Sequence, residues 1–497
     1  MPSITWDDAV ATGYVRAVFV LLLFVFVSGI VRQCLTVPVP TAFIPTIKLP
    51  FLIVQLLSNT AELLHRNKAQ YGGLYRIRMP GTTVHVVAHA DAIRHVLRDP
   101  YKCFTAFLTT RMFEQIGDLA PGALNLELEA KLFGIITKTF SSRDTHQITD
   151  TYNQLFLRQL KVYETSSVED RISLTDFVSR SVYNSVSLAF FGPHFPLDTF
   201  DDFSEVDYSL LRILAVSWAA PPGARRAQAR LKKRYGVLLE QVGPSFDDNY
   251  KGLEIAKILH DSNLSVSDQE GILLVIMMAM LAALMRASLW FMAHLLSDLS
   301  TRNQLQEEID GVISSEFGSL DALLTAHPKR INPETFPFLH AVLKEILRLY
   351  TLATFVRIAH RDTTLVLGEN TSVPISAGDY VVGEGFSVNL CEQEFEDPYA
   401  FRPERYLENK DGSPISPNPL SPFGAGIHVC KGREFAQHAI KLFVIVCLRL
   451  YTLQGEDASG VSVEGKPPRN AHACPTPVYV LEPTFIRVQK RSVEPNV

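Results

Sequence analysis

The chain has 497 residues, 47% hydrophobic and 20% charged, with a formal net charge of -5 at pH 7. Mixed charge without a basic excess argues against nucleic-acid binding, and six cysteines at irregular spacings form neither a disulfide scaffold nor a paired CxxC metal site. The length exceeds an average single domain, yet a large helical enzyme enclosing a cofactor would use nearly all of it.

In chain order, the first element is an uncharged apolar run, Ala17–Val31, extended by Tyr14 and Val15 and flanked by Arg16 and Arg32. It is slightly short for an average bilayer, but flanking groups snorkel in a thin one. A cleaved signal peptide is the rival reading. No small-x-small cleavage site follows; the chain continues through Arg32, Pro38, Pro40 and Pro45, which favours an uncleaved anchor. We therefore divide the chain into an anchor over 1–35, a proline-containing linker over 36–50 and a catalytic region over 51–497. Arg32 and Lys48 favour a cytosolic catalytic region.

Helical periodicity over Phe51–Gln70 predicts the first helix of that region. GLYRIRMPGTTVHVVAH then reads as a hairpin turning at Pro80 and Gly81, followed by helices over Asp91–Arg98, Leu126–Tyr163 and Asp176–Phe190. The basic stretch PPGARRAQARLKKRYG carries Arg225, Arg226, Arg230, Lys232, Lys233 and Arg234. It reads as a solvated helix face, with contact to anionic headgroups as the second reading. A long apolar helix follows in GILLVIMMAMLAALMRASLWFMAHLLSDL. It holds no threonine, and from Gly271 to Met292 its only serine is Ser288.

In AVLKEILRLY, Glu345 and Arg348 are three residues apart and share a helix face, and Arg405 follows in AFRPERYLENK. FVRIAHRDTTL supplies a strand with Arg357. The most informative stretch is PFGAGIHVCKGREFA, where Cys430 sits in a glycine-rich turn that opens into a hydrophobic helix. Gly424 and Gly426 let the backbone approach a flat object, and Gly432 leaves room beside the sulfur. Backbone N–H groups at a helix start lower the proton affinity of such a sulfur. The competing reading of Cys430 is a buried small hydrophobe.

The ordered pattern Phe423, Gly424, Gly426, Cys430, Gly432, Ala436 resembles the cytochrome P450 superfamily, in its eukaryotic membrane-bound heme-thiolate class. The resemblance implies a mainly α fold with smaller β-sheets and an N-terminal transmembrane helix. It implies heme b with Cys430 as the axial ligand of the iron, within a cofactor-binding set of Phe423, Gly424, Gly426, His428, Cys430 and Gly432. It also directs Arg357 and His428 toward the heme propionates and makes Glu345, Arg348 and Arg405 a structural charge network. In the early helix, Lys131, Lys138 and Arg143 stand as substitutes for a missing tryptophan and arginine arrangement.

The apolar helix resembles the one that crosses the heme pocket, with Ala282 and Ala283 leaving distal space, and Leu281 and Leu284 shaping the wall. The family's acid and threonine pair is absent there. The implied activity is monooxygenation of a lipophilic small molecule, a secondary metabolite, terpenoid or sterol, using dioxygen and electrons from NADPH-cytochrome P450 reductase, with cytochrome b5 as a further donor. The implied location is the endoplasmic reticulum membrane, single-pass. Two alternatives stay open: a heme-thiolate isomerase or dehydratase without net oxygen activation, and a non-catalytic membrane heme-binding protein. Arg286 either caps a neighbouring charge or faces a polar substrate.

Overall fold

The structure, a computed structural model, describes residues 46–47, 67–68, 70–79, 82–99, 102–106, 111–120, 122–140, 145–165, 171–215, 220–241, 250–351, 354–366, 372–407, 422–426, 429–468 and 482–491. The anchor at 14–31, most of the linker and most of the helix expected over Phe51–Gln70 lie outside these residues, as do Arg143 and His428. The chain divides into two compact units, one of residues up to Thr105 with Thr354–Glu384, the other of Ala106–Ala353 with Gly385–Val497.

The first unit is built on strands. β1 (Thr46–Ile47), β2 (Leu74–Met79), β3 (Thr82–Val87) and β4 (Phe104–Ala106) join β6 (Thr354–Ala359) and β9 (Tyr380–Glu384) in one sheet of order β1-β2-β3-β9-β6-β4. The expected hairpin is β2 and β3, antiparallel with Arg76 opposite His85. β7 (Thr363–Val366) and β8 (Ser372–Ile375) form a separate antiparallel pair. Helix α1 (Ala90–Arg98) buries Ala92, Ile93 and Val96 on one face, the i, i+1, i+4 pattern of an amphipathic helix.

The second unit is mainly helical. The helical segments expected from Leu126 to Tyr163 are α2 (Leu126–Thr139) and α3 (Thr145–Lys161), the latter continued by a short 3-10 turn to Thr165. Asp176–Arg180 is a π-type turn that leads into α4 (Ser181–Phe191). Then come α5 (Phe200–Tyr208), α6 (Leu210–Ala215), α7 (Pro222–Glu240), α8 (Lys251–His260), α9 (Val266–Ser297), α10 (Leu299–Val312), α11 (Leu320–Thr325), α12 (Pro337–Tyr350), α13 (Phe386–Asn389) and α14 (Arg433–Leu450). β5 (Ile172–Ser173), β10 (Tyr451–Asp457) and β11 (Thr484–Lys490) make a small sheet of order β10-β11-β5.

The core of this unit surrounds α9. The helix begins at Ser265, whose hydroxyl accepts from the Asp268 N–H at 3.2 Å, a standard N-cap. By length and composition α9 would cross a membrane, but 72% of its most apolar window is buried within the protein, which marks it as a core helix. Gly271 is required where it passes the preceding loop, because a Cβ there would lie 2.0 Å from the Gly117 carbonyl oxygen.

α7, which carries the basic stretch, is not a free cationic face. Arg230 pairs with Asp202 at 2.9 Å, Arg234 with Asp198 at 2.5 Å, and the buried Lys232 approaches Asp118 at 3.4 Å. Asp202 on α5 and Asp198 just before it thus meet two of the six cations and Asp118 a third; Arg226, Arg230, Lys233 and Arg234 are exposed, as expected of a solvated face, and only the burial of Lys232 departs from it.

Candidate functional site

The loop before α14 is held by its own backbone. The Cys430 N–H donates to the Phe423 carbonyl at 2.8 Å, and the Val429 N–H donates to the Gly426 carbonyl at 3.2 Å. Gly424 and Gly426 have φ of 69° and 64°, in the left-handed region where a side chain is strained. Phe423 and Ala436 pack against the main core, which fixes both ends of the turn. A Cβ at Gly432 would meet nothing within 4 Å.

Cys430 is exposed, whereas Cys103 and Cys447 are buried. This removes the reading of Cys430 as a packed hydrophobe. Its thiol is nevertheless pushed up by desolvation from the surrounding protein, with the Gly432 N–H, Arg433 and Lys431 pulling the other way. The helix start does favour the thiolate, as the sequence implies, but that effect is smaller than desolvation in the protein without a cation at the sulfur. Ligation to a metal cation would reverse the balance.

The charged residues form one network within the second unit. Arg348 donates from Nε to Glu345 Oε2 and from Nη2 to Glu345 Oε1, both at 2.8 Å. Arg405 Nε reaches Glu345 Oε1 at 3.2 Å, and the Arg402 N–H reaches the same oxygen at 2.9 Å. Glu345 and Arg348 are completely buried and Arg405 is 4% exposed, so the ordinary surface pair is excluded. Two guanidiniums share one carboxylate. The excess charge is met by main-chain carbonyls: Arg348 donates to Asn389, Pro398 and Ala400, and Arg405 to Glu396. The network thereby ties α12 to the 389–405 segment.

α9 is buried along nearly its whole length, but Ala279 and Ala283 are exposed, and Met280, Arg286 and Ala287 are half-buried. These positions recur at i, i+4 and i+7 or i+8 and make one strip. Of the two expected distal alanines, Ala283 lies on the strip, whereas Ala282 is packed at 6% exposure. Leu281 and Leu284 are core residues, 0% and 4% exposed, and stand behind the strip. Arg286 caps a neighbouring charge: its Nη2 hydrogen-bonds the carboxylate of Asp207 on α5, which is 6% exposed. Burial pushes the Asp207 carboxyl up, and Arg286 opposes that shift. Ser288 is buried, its hydroxyl without a hydrogen-bond partner among the described residues.

In the first unit, Arg357 lies on β6 at 7% exposure. Its Nη1 donates to the Val356 carbonyl at 3.2 Å and the guanidinium lies 5.1 Å from the Phe355 ring centroid. Desolvation lowers its pKa, with Asp99 opposing. A buried guanidinium with one carbonyl acceptor among the described residues fits an anionic group. Lys131 is engaged by Glu127 at 2.8 Å on the α2 surface, and Lys138 is exposed in the last turn of the same helix.

Two features were missed in the sequence. Asp207 gave no signal, because its partner lies 79 positions away. The second is a cluster of Trp290, His294 and Tyr350; the four-residue spacing on α9 was visible, but Tyr350 arrives from α12.

An accessible thiol framed by left-handed glycines, and an open strip of small side chains on a helix otherwise buried, fit a flat cofactor with an axial sulfur ligand. A family model described as Cytochrome P450 matches residues 44–477. Cholesterol 7-alpha-monooxygenase of Cricetulus griseus is 23% identical over 423 residues, covering 80% of this chain and 83% of its own. Cytochrome P450 monooxygenase drtD of Aspergillus calidoustus is 34% identical over 164 residues, 31% of this chain and 26% of its own. Pluviatolide synthase of Podophyllum peltatum is 31% identical over 150 residues, 29% and 27% respectively.

Proposed function

The chain belongs to the cytochrome P450 family, and on that premise we propose that Cys430 is the heme ligand of a monooxygenase acting on a terpenoid, a sterol or a related lipophilic secondary metabolite. The family makes the chain a monooxygenase of lipophilic substrates whose cofactor is heme with a thiolate ligand. The observation that carries the residue assignment is the exposed Cys430 in a turn framed by Gly424 and Gly426.

When bound, heme supplies reductive activation of dioxygen and oxidation of a C–H bond or alkene. The chain's own groups do the rest. Cys430 offers its sulfur as a donor, and the Gly432 N–H, Lys431 and Arg433 temper the charge on it. Phe423 and the positive-φ glycines shape the turn that would hold the cofactor. Glu345, Arg348 and Arg405 fix the segment ahead of the loop. His428, outside the described residues, is a propionate donor in this proposal.

Ala279 and Ala283 admit the substrate beside the leucine-rich body of α9, which excludes water. No threonine on α9 holds a proton there, and Arg286 is occupied by Asp207. Proton delivery then falls to a substrate hydroxyl or a water molecule. The same absence favours a second reading, an isomerase or dehydratase that needs no external electrons. A binding-only heme protein ranks below both.

The proposed electron donors are NADPH-cytochrome P450 reductase and cytochrome b5, and the proposed location is the endoplasmic reticulum membrane, with residues 14–31 as the span. The word cholesterol in the hamster relative's name supports a sterol-like substrate. The test is incubation of reconstituted protein, reductase and candidate lipids with and without NADPH under oxygen-18. Label in the product supports monooxygenation; NADPH-independent rearrangement overturns it in favour of isomerisation, and turnover of no lipid in either condition favours binding alone.

A further inference from the structure

The face of α9 that opens at Ala283 continues into a closed aromatic cluster. Trp290 and His294 follow Ala283 by seven and eleven residues, so at about 100° per residue both lie within about 20° of its direction, at roughly 10 and 16 Å along the axis. Trp290, 1% exposed, stacks on Tyr350 with ring centroids 4.1 Å apart and 12° between the planes. The Tyr350 hydroxyl hydrogen-bonds His294 Nε2, and the His294 ring stacks on Phe401 at 4.3 Å. Tyr350 and Phe401 are half-buried, so this end of the cluster approaches solvent.

Burial keeps both partners of that bond uncharged. Burial, and then Glu345, push the Tyr350 phenol up, while burial pulls His294 down to about 3. With both groups neutral and the ring proton on Nδ1, the phenol donates to Nε2, and it is this tautomer that the relay uses. An oxidised phenol is a far stronger acid than an imidazolium, even one whose pKa burial pulls down to about 3. Here the proton has an acceptor already in hydrogen-bond contact, so electron and proton leave together.

We propose that Trp290, Tyr350 and His294 form a redox relay that draws one oxidising equivalent away from the reaction centre when no substrate consumes it. An oxidant takes one electron from Trp290, which is refilled by one electron from the stacked Tyr350. The Tyr350 O–H bond breaks and its proton passes to His294 Nε2, leaving a neutral tyrosyl radical and an imidazolium. A small one-electron reductant such as ascorbate or a thiol then returns the electron at the half-buried phenol, and His294 returns the proton. The missing hydroxyl on α9 gives the relay its use, because turnovers without a fixed proton donor run uncoupled more often. The relay rests on the monooxygenase reading only for its natural oxidant.

The test uses the full-length, heme-loaded protein in two arms. In the first, substrate-free protein is mixed with peroxide and freeze-quenched for electron paramagnetic resonance. In the second, a photogenerated ruthenium(III) polypyridyl complex oxidises the protein, and transient absorption reads the radical without any turnover. We expect a tyrosyl signal in both arms, lost in Tyr350→Phe, delayed severalfold in Trp290→Phe and reduced severalfold in His294→Gln, which keeps an acceptor but cannot hold the proton. Tyr350→Phe keeps the ring and the stack, and heme content checks its fold. An undiminished tyrosyl signal in Tyr350→Phe, or no protein radical in the second arm, overturns the relay. An unchanged yield in His294→Gln overturns the proton-acceptor role even if Tyr350→Phe misfolds. A signal in the second arm with none in the first leaves the relay standing and counts against the monooxygenase reading instead.

Discussion

Removing Arg348 from its network separates two views of what the charges do. Arg348→Ala leaves Glu345 with Arg405 at 3.2 Å and the Arg402 N–H at 2.9 Å, so the remaining buried pair is charge-matched. The cost arises from two lost charge-assisted bonds to Glu345 and from the Asn389, Pro398 and Ala400 carbonyls that lose a donor. A buried pair broken on one side costs about 3 to 5 kcal/mol, a figure that already contains the groups left unpaired. We expect roughly 4 kcal/mol, a large share of a typical stability of about 5 to 15 kcal/mol. Glu345→Gln should cost at least as much, because it leaves two buried guanidiniums without an anion. Arg405→Lys, which keeps the charge, should cost least. Heme content after purification and urea unfolding followed by tryptophan fluorescence are the assays. Full heme occupancy and an unchanged midpoint in both Arg348→Ala and Glu345→Gln would refute the network as the anchor of the 389–405 segment.

Cys430→Ala should abolish the thiolate-type absorption of the ferrous carbon monoxide complex, and an unchanged spectrum would reject Cys430 as the ligand. Full-length protein should resist carbonate extraction and expose its C-terminus to protease in sealed microsomes; release by carbonate would reject the span at 14–31, and a protected C-terminus would reverse its orientation. His294 and His438 are both held near 3 by burial, so below about pH 6.5 the unfolded chain binds protons that the folded chain refuses. Stability is then complete above pH 6.5 and falls as pH drops, by up to about 1.4 kcal/mol per pH unit for each residue. A urea midpoint that stays flat between pH 7 and pH 5 would contradict this sign.

The local elements were legible because their signals are local. The β2–β3 hairpin follows from alternation around Pro80 and Gly81, and the Cys430 turn from glycines that only a left-handed backbone requires. Glu345 and Arg348 were visible as a helix pair, but their burial depended on carbonyls from 389–400 that no spacing reveals. Hydropathy also rates α9 and the 14–31 run alike, and the described structure resolves the ambiguity for α9 alone, through the groups that cover it.

The same limit governs the proton relay, and it yields a test of which side of α9 does the chemistry. The resemblance put Ala282 and Ala283 at the distal space and Leu281 and Leu284 in its wall. Exposure separates them: Ala283 is on the open strip, and Leu284 is 4% exposed in the core. Ala283→Thr therefore places a hydroxyl where a substrate and a water molecule reach it, at little cost beyond helix propensity, about 0.5 kcal/mol. It should raise the yield of product per NADPH and lower peroxide release. Leu284→Thr removes packing and buries a hydroxyl, which back-bonds to the helix or stays unpaired; it should cost about 2 kcal/mol or more and leave coupling unchanged. Product and peroxide are measured together at equal heme content. If Leu284→Thr improves coupling and Ala283→Thr does not, the working face of α9 is turned by one residue from the strip, and the distal role of Ala283 falls with it.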